Sequence, residues 1–183
     1  MPWFTKKKKT VEPVQKKEDL WVVCSSCTAH IYREEWLNNA KVCPKCSFHE
    51  RIPGIERVEM LLDIGSYSEL FPRITVSDPL QFIDAKGSYA DKSKEAIEKT
   101  GLKEAVIVYK GRMKGRKVVL GVMDFRFMGG SLGSGTGDKI MLGAKYALKK
   151  GRPFIMISAS GGARMHEGVI SLMQMARTCA AIA

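Results

Sequence analysis

The apolar positions of the chain follow two rhythms. Phe154-Ile155-Met156-Ile157 is continuously apolar, a pattern that suits a parallel strand covered on both faces. Ser160-Gly161-Gly162 interrupts it, and Met165, Ile170, Leu172, Met173, Met175 and Ala176 then recur at a spacing that suits a helix. Upstream, Ala105–Tyr109 and Lys117–Met123 are β-branched runs separated by Gly111-Arg112-Met113-Lys114-Gly115, which predicts a hairpin or close strand pair. A second glycine-rich turn spans Phe127–Lys139. The helix predicted after it runs from about Asp138, suited to its N-terminus, to Lys150, and Gly151-Arg152-Pro153 closes it. Ile55–Asp63 carries apolar residues at helical spacing up to Gly65, Asp78-Pro79 is expected to open a further short helix, and the Lys-rich stretch 85–100 reads as a surface helix. Residues 1–20 have no apolar period and read as a flexible basic arm. The last helix, Ser171–Ala183, meets no Gly, Asn or Pro stop, so the natural sequence is expected to continue beyond it.

Four of the five cysteines fall in residues 21–50 as two C-x-x-C pairs, Cys24/Cys27 and Cys43/Cys46. Each pair makes a knuckle that aims two sulfurs at one centre, and two knuckles make a tetrahedral zinc ribbon. A redox dithiol would need a single pair in a βαβ setting, and no secretory signal points to an oxidising compartment where disulfides persist. His30 and His49 are spare ligands at most. Trp21, Tyr32, Trp36 and Phe48 could stack on bases, with Lys41, Lys45 and Arg51 on phosphates, but a segment this small needs the same aromatics as core.

With 45% hydrophobic and 27% charged residues, the 183-residue chain has an ordinary globular composition. No apolar run approaches ~20 residues, so no membrane span is expected, and the chain reads as cytoplasmic. The net charge of +11 is concentrated: residues 100–183 carry 14 basic and 4 acidic groups. The targets of such a field are polyanions, nucleic acid or a phosphate-bearing small molecule; a solvated basic face or an acidic partner subunit would account for it equally.

The two glycine turns carry the candidate chemistry. Adjacent glycines let a ligand approach the backbone, and a helix start leaves amide N–H groups free to hold an anionic oxygen. Many α/β proteins have such turns only because the chain must reverse. Phosphate-loop and dinucleotide motifs fail: Gly137 is followed by Asp138, and Gly133, Gly135 and Gly137 alternate. Ser160 lacks the glycine two places earlier that a nucleophile elbow requires, and the chain has only three histidines, so covalent catalysis is not expected.

A four-cysteine ribbon, then Phe127-Met128-Gly129-Gly130-Ser131-Leu132-Gly133-Ser134, then Ser158-Ala159-Ser160-Gly161-Gly162-Ala163-Arg164-Met165, then Ser171-Leu172-Met173-Gln174-Met175-Ala176 together resemble the carboxyltransferase β subunits of bacterial and plastid acetyl-CoA carboxylase. The resemblance runs from the ribbon to the last residue. It implies an α/β, crotonase-like (ClpP/crotonase) fold of ββα repeats, incomplete here, occupying 51–183 after a zinc ribbon at 21–50. It implies carboxyl transfer from carboxybiotin to acetyl-CoA, giving malonyl-CoA for fatty acid synthesis. One structural Zn2+ would sit on Cys24, Cys27, Cys43 and Cys46, and biotin would come from a separate carrier protein. The implied partners are a carboxyltransferase α subunit in an α2β2 tetramer, the biotin carboxyl carrier protein, and biotin carboxylase in the wider complex. The implied location is the cytoplasm, or the plastid stroma in a plant. Gly161, Gly162 and Ala163 would supply backbone oxyanion donors, with Gly129, Gly130 and Ser131 in the neighbouring turn. Arg164 and Lys139 are candidates to hold the CoA phosphates, although Arg164 could equally be an interior ion-pair partner. Glu167 is expected to complement its own helix N-terminus. His166 stands where relatives often have Gln and is not expected to be a general base. The competing functions are a nucleic-acid-binding zinc ribbon and a carboxyltransferase for another acyl-CoA.

Overall fold

The structure is a computed structural model that describes residues 20–183; the arm expected at residues 1–20 therefore lies outside the described residues, apart from Leu20. The chain divides into two compact units, residues 1–51 and 52–183.

In the first unit a short hairpin, β1 (Trp21–Val23) and β2 (His30–Tyr32), leads into α1 (Arg33–Asn38). The first knuckle is the hairpin turn, closed by Cys24 N–H to Ala29 O and Thr28 N–H to Cys24 O. The second is closed in the same way, by Cys43 N–H to Phe48 O and Ser47 N–H to Cys43 O. Cys24, Ile31 and Cys43 are buried, and Trp36 packs against them. Trp36 alone answers the expectation of an aromatic core. Trp21, Tyr32 and Phe48 are exposed, because a centre made of four sulfurs leaves little apolar volume to fill.

The second unit starts with α2 (Gly54–Leu61) and is built on a four-stranded sheet. After β3 (Ser68–Leu70) comes a small excursion, β4 (Ile83–Asp84) and β5 (Gly87–Ser88), and then α3 (Tyr89–Thr100). No helix forms at Asp78-Pro79. Instead the Asp78 carboxylate accepts the N–H of Phe82, a local bond that competes with helix. Helix α3 starts at Ser88, whose hydroxyl caps the Asp91 N–H, and ends at Gly101 in the left-handed conformation.

The predicted hairpin is β6 (Val106–Met113) with β7 (Arg116–Met123), joined across Lys114-Gly115, both at positive φ, the geometry of a tight two-residue hairpin turn. Then come α4 (Ser134–Lys149), β8 (Phe154–Ile157) parallel to β7, and α5 (Gly168–Ile182). Strand order is β3-β6-β7-β8. In this chain β8 lies at the sheet edge and its residues are half-buried.

Period-two alternation divides the sheet between two helices. Ile107, Val118, Leu120 and Val122 face Val58 and Leu62 of the α2 segment. Val106, Val108, Val119 and Met123 face Ile140 and Ala147 of α4. Asp124, just past β7, anchors α2: its carboxylate accepts the Gly54 N–H at 2.7 Å and pairs with Arg126 at 2.7 Å. Burial works against the charge on Asp124, yet Arg126 and the Gly54 amide hold its carboxyl below the usual range.

Asp124→Ala should lower stability by about 1–2 kcal/mol, the usual loss for a helix N-terminal acceptor. A urea titration with an unchanged m-value and a lower midpoint is the expected result.

Candidate active site and metal centre

The site forms where the two glycine turns meet. Leu132 and Ala163 make a parallel bridge, with Leu132 N–H to Gly162 O at 2.8 Å and Arg164 N–H to Leu132 O at 3.1 Å. Gly161 N–H adds a bond to Gly129 O at 2.9 Å. Contact this close requires Gly130: it sits at φ +66°, and a Cβ there would collide with the Ala159 carbonyl.

Behind the turns lies a buried ion network centred on Arg164, which is 1% exposed. Its guanidinium reaches Glu104 at 2.9 and 3.0 Å, Glu167 at 3.5 Å, the Tyr89 hydroxyl at 3.2 Å, and the Ser131 carbonyl at 2.8 Å. Glu104 also accepts from Thr136, and Glu167 from Tyr89. Burial opposes the charge on Arg164, but Glu104 more than offsets it and its pKa rises. Burial also drives the Tyr89 phenol up, so it stays protonated as a donor.

The network explains two departures from the sequence reading. Helix α4 begins at Ser134, a turn before Asp138, because Glu167 accepts the Ser134 N–H at 2.6 Å. Glu167 thus complements the start of α4 rather than the helix that follows it. Glycine is tolerated in this first turn because side chains occupy the space: a Cβ at Gly135 would strike Glu104, and one at Gly137 would strike Gln174. Asp138 pairs instead with Arg177 at 2.7 Å. Helix α5 is inverted relative to its apolar pattern. It buries Ser171 and Gln174 against the α4 segment and exposes Leu172, Met173 and Met175. The Ser171 hydroxyl accepts the Arg164 N–H at 2.7 Å and donates to Leu132 O at 2.6 Å, so polar contacts choose the inner face.

For Arg164 the interior ion pair, the other reading of this residue, is what the structure shows, while burial corrects Lys139 as a candidate for the CoA phosphates. Arg164 spends its donors inside the network. Lys139 is 1% exposed and lies 3.6 Å from Glu69, with burial lowering its pKa against the pull of Glu69 and Glu104. The predicted donors also separate. The Gly161 N–H is engaged by Gly129, and the Gly162 N–H meets the Ser160 hydroxyl at 3.1 Å. The bridge to Leu132 uses groups on either side of Ala163, so the Ala163 N–H has no partner among the described residues.

Gly161, Ala163 and Ser131 line a cavity of about 550 Å³ with Met128, His166, the cations Lys92, Lys99 and Arg126, the acid Glu95 and the edge of buried Arg164. The three cations were missed in the sequence. Lys92 and Lys99 lie on α3, in the segment that is net acidic, and only the fold carries them to the turns. Lys92 pairs with Asp84 at 2.6 Å and Arg126 with Asp124, whereas Lys99 makes no ion pair among the described residues. His166 stacks on Tyr89 at 4.8 Å and meets Phe82 edge-on at 5.5 Å. Burial, then Lys92, holds its pKa below the usual imidazole value, which suits a neutral wall residue.

Residues 54–183 match the carboxyl transferase domain family. The chain belongs to that family. It is 48% identical over 166 residues to the acetyl-coenzyme A carboxylase carboxyl transferase subunit beta of a Sulfurihydrogenibium species, covering 91% of this chain and 59% of the relative. It is 45% identical to the subunit of that name from Citrifermentans bemidjiense, over its whole length and 66% of the relative's. The chain thus spans less than two thirds of these relatives. Among solved structures it resembles a transcarboxylase 12S with methylmalonyl-coenzyme A bound (30% identity, TM-score 0.57, 72% of this chain and 23% of that one). It also resembles a Pseudomonas malonate decarboxylase hetero-tetramer in complex with malonate (28% identity, TM-score 0.53, 72% and 45%). The architecture is accordingly the crotonase-like one, with β6, β7 and α4 forming a ββα unit.

In the other unit, the sulfurs of Cys24, Cys27, Cys43 and Cys46 all lie within 4.8 Å of one another. Cys24 and Cys46 are 3.8 Å apart and Cys27 and Cys43 3.7 Å. A tetrahedron with ~2.3 Å metal–sulfur bonds has sulfur edges of ~3.8 Å, so the four residues fit a metal ion. The backbone N–H groups of Cys27 and Ser26 hold the Cys24 thiol down to about 7, whereas the Ala29 N–H is outweighed at Cys27, whose thiol Cys46 and burial push up to about 12; the fit to a metal ion rests on the sulfur geometry. His30 and His49 stand outside the cluster.

Two outcomes follow. Chelating the metal should unfold residues 21–50 while the amides of β6 and β7 keep their hydrogen-exchange protection, because each unit has its own core. Separately, the unfolded chain takes up a proton at histidine near pH ~6.5, before folded His166 does. The stability contribution of neutral His166 is therefore present above that pH and lost as pH falls through the depressed folded value. Thermal midpoints measured from pH 7.5 to 5.5 should fall less steeply in His166→Gln than in the parent.

Proposed function

We propose that this chain is the carboxyltransferase β subunit of an acetyl-CoA carboxylase and moves a carboxyl group from carboxybiotin to acetyl-CoA to give malonyl-CoA. The observation that carries the reading is the pair of interlocked glycine turns beside a cavity of substrate size, lined by Ala163 with its unpaired amide, in a chain of the carboxyl transferase family. The subunit name borne by relatives at 45–48% identity supports acetyl-CoA over another acyl-CoA. In this reading the chain comprises a zinc ribbon at 21–50, with Zn2+ on its four cysteines, and part of a crotonase-like domain at 51–183. The partners are the α subunit, in an α2β2 arrangement, and the biotin carboxyl carrier protein, with biotin carboxylase in the wider complex; the setting is the cytoplasm.

Biotin, arriving on its carrier, supplies the carboxyl group and, once that group has left, a basic nitrogen to take a proton from the acetyl methyl carbon. The residues of this chain then have one electrostatic task. Loss of the methyl proton puts negative charge on the thioester oxygen, and in this reading the unpaired Ala163 N–H meets it. A backbone donor needs no reorganisation when that charge appears, and each such donor lowers the barrier by roughly 3 kcal/mol. The Gly162 N–H is a second donor if the Ser160 hydroxyl turns away. Gly129 and Gly130 hold the opposing turn, Ser131 lines the cavity, and Lys99, Lys92 and Arg126 give it the positive potential that CoA phosphates require.

The test uses the full reading frame that encodes this chain, co-purified with its α subunit, and follows acetyl-CoA release from malonyl-CoA with biocytin. Activity that disappears without the α subunit is expected, and a folded, zinc-replete complex with no turnover would overturn the reading. Ala163→Pro removes one amide while sparing the bridge to Leu132, which does not use it. It should lower kcat by about 10²–10³-fold with little change in thermal midpoint.

A further inference from the structure

The opposite end of the sheet carries a second cationic site. From Lys117 to Met123, β7 extends about 20 Å before the chain reaches the first glycine turn. At its start lies a pocket of about 220 Å³ lined by Lys110, Arg112, Lys117 and Arg152, together with Ser66 and Tyr146.

The register brings these charges together. Lys110 and Arg112 are two apart on β6, and Lys117 stands directly opposite Arg112, so all three share the sheet face on which α4 lies. The C-terminal end of α4 closes the pocket with Tyr146, and the Arg152 guanidinium sits 6.0 Å from the Tyr146 ring. Other parts are fixed as well. Arg112 donates to the Gly115 carbonyl at 2.9 Å, and its backbone N–H bonds the Ser66 hydroxyl at 3.1 Å, which leaves the hydroxyl proton free to donate. The nearby acidic residue, Asp63, is not a lining residue: its carboxylate accepts the Lys114 and Gly115 N–H groups of the hairpin turn.

Directly opposed like charges on neighbouring strands are destabilising. Among the described residues none of the four cations forms an ion pair with a carboxylate. Arg152 could be explained by the negative end of the α4 dipole. The three strand cations have no such explanation. The pocket is also smaller than the ~300–1,000 Å³ of sites that enclose a whole cofactor, and it offers no aromatic platform for bases beyond Tyr146.

We propose that this pocket binds a single phosphoryl dianion, either free phosphate or the phosphate of a small ester. The dianion cancels the Arg112/Lys117 repulsion and collects charge-assisted bonds from four cations and hydrogen bonds from two hydroxyls. The site is separate from the cavity at the glycine turns and does not depend on the carboxyl-transfer reading.

The test is a ¹⁵N-detected titration of the full chain with inorganic phosphate and, in parallel, glycerol 3-phosphate. Saturable shifts confined to residues around 66, 110–117 and 146–152 are expected. Lys117→Glu and Lys110→Glu, both at exposed positions, should each weaken binding at least tenfold. Lys94→Glu, an equal charge change on exposed α3, should leave it unaltered. Tighter binding of the ester assigns the pocket to a phosphorylated metabolite, and equal binding assigns it to phosphate itself. Non-saturating shifts, equal weakening by Lys94→Glu, shifts centred on the glycine turns, or a response to a DNA duplex with none to either phosphate would each overturn the proposal.

Discussion

The second unit depends on Arg164 having somewhere to put its charge. A guanidinium at 1% exposure is tolerable only if its donors are met, and the acceptors come from separate segments of the chain: Glu104 before β6, Tyr89 at the start of α3, Ser131 in the first glycine turn, and Glu167 beyond the second. A buried ion pair of this kind is poor evidence of net stabilisation, because desolvation offsets much of the attraction. Its consequence is specificity. Removing either carboxylate leaves buried donors unmet, Thr136 and part of the guanidinium for Glu104, Tyr89 and the Ser134 N–H for Glu167, so the network favours the arrangement that holds the two glycine turns edge to edge.

That constraint passes directly to the candidate chemistry. The bridge between Leu132 and Ala163 consumes the groups flanking Ala163 and leaves its own N–H without a partner among the described residues, at a residue that lines the cavity. The proposed carboxyl transfer would ask of this chain a fixed dipole where oxygen charge develops and a positive approach for a polyanionic substrate. The same sheet sends Lys110, Arg112 and Lys117 to its far end, away from the cavity where Arg126 meets Lys92 and Lys99.

Helix α5 turns a polar strip inward and, in a chain spanning less than two thirds of its relatives' length, leaves its apolar residues exposed. Its Leu and Met residues follow a helical period, yet Ser171 and Gln174 face inward, because the Leu132 carbonyl and the Arg164 amide need a hydroxyl there and Gly137 leaves room for an amide side chain. The ribbon shows the complementary case. Four sulfurs replace an apolar core, and Trp21, Tyr32 and Phe48 remain at the surface.

The linear sequence by itself determined whatever rests on short-range spacing. The two C-x-x-C knuckles, the β6–β7 hairpin, the strand–turn–helix around Gly161-Gly162 and the order of the motifs were all legible, because each is fixed by residues a few positions apart. Only the tertiary structure decided which groups are free. It took Arg164 and Lys139 out of solvent, tied the Gly161 amide to Gly129 and left that of Ala163 open. It also drew Lys92 and Lys99 from an acidic stretch to the cavity, and it turned the apolar side of α5 outward. The physical reason is common to these cases. Whether a charge or an amide is available depends on the partner it finds, and for Arg164, Lys139 and the Gly161 amide those partners include groups about 30 to 75 residues away along the chain.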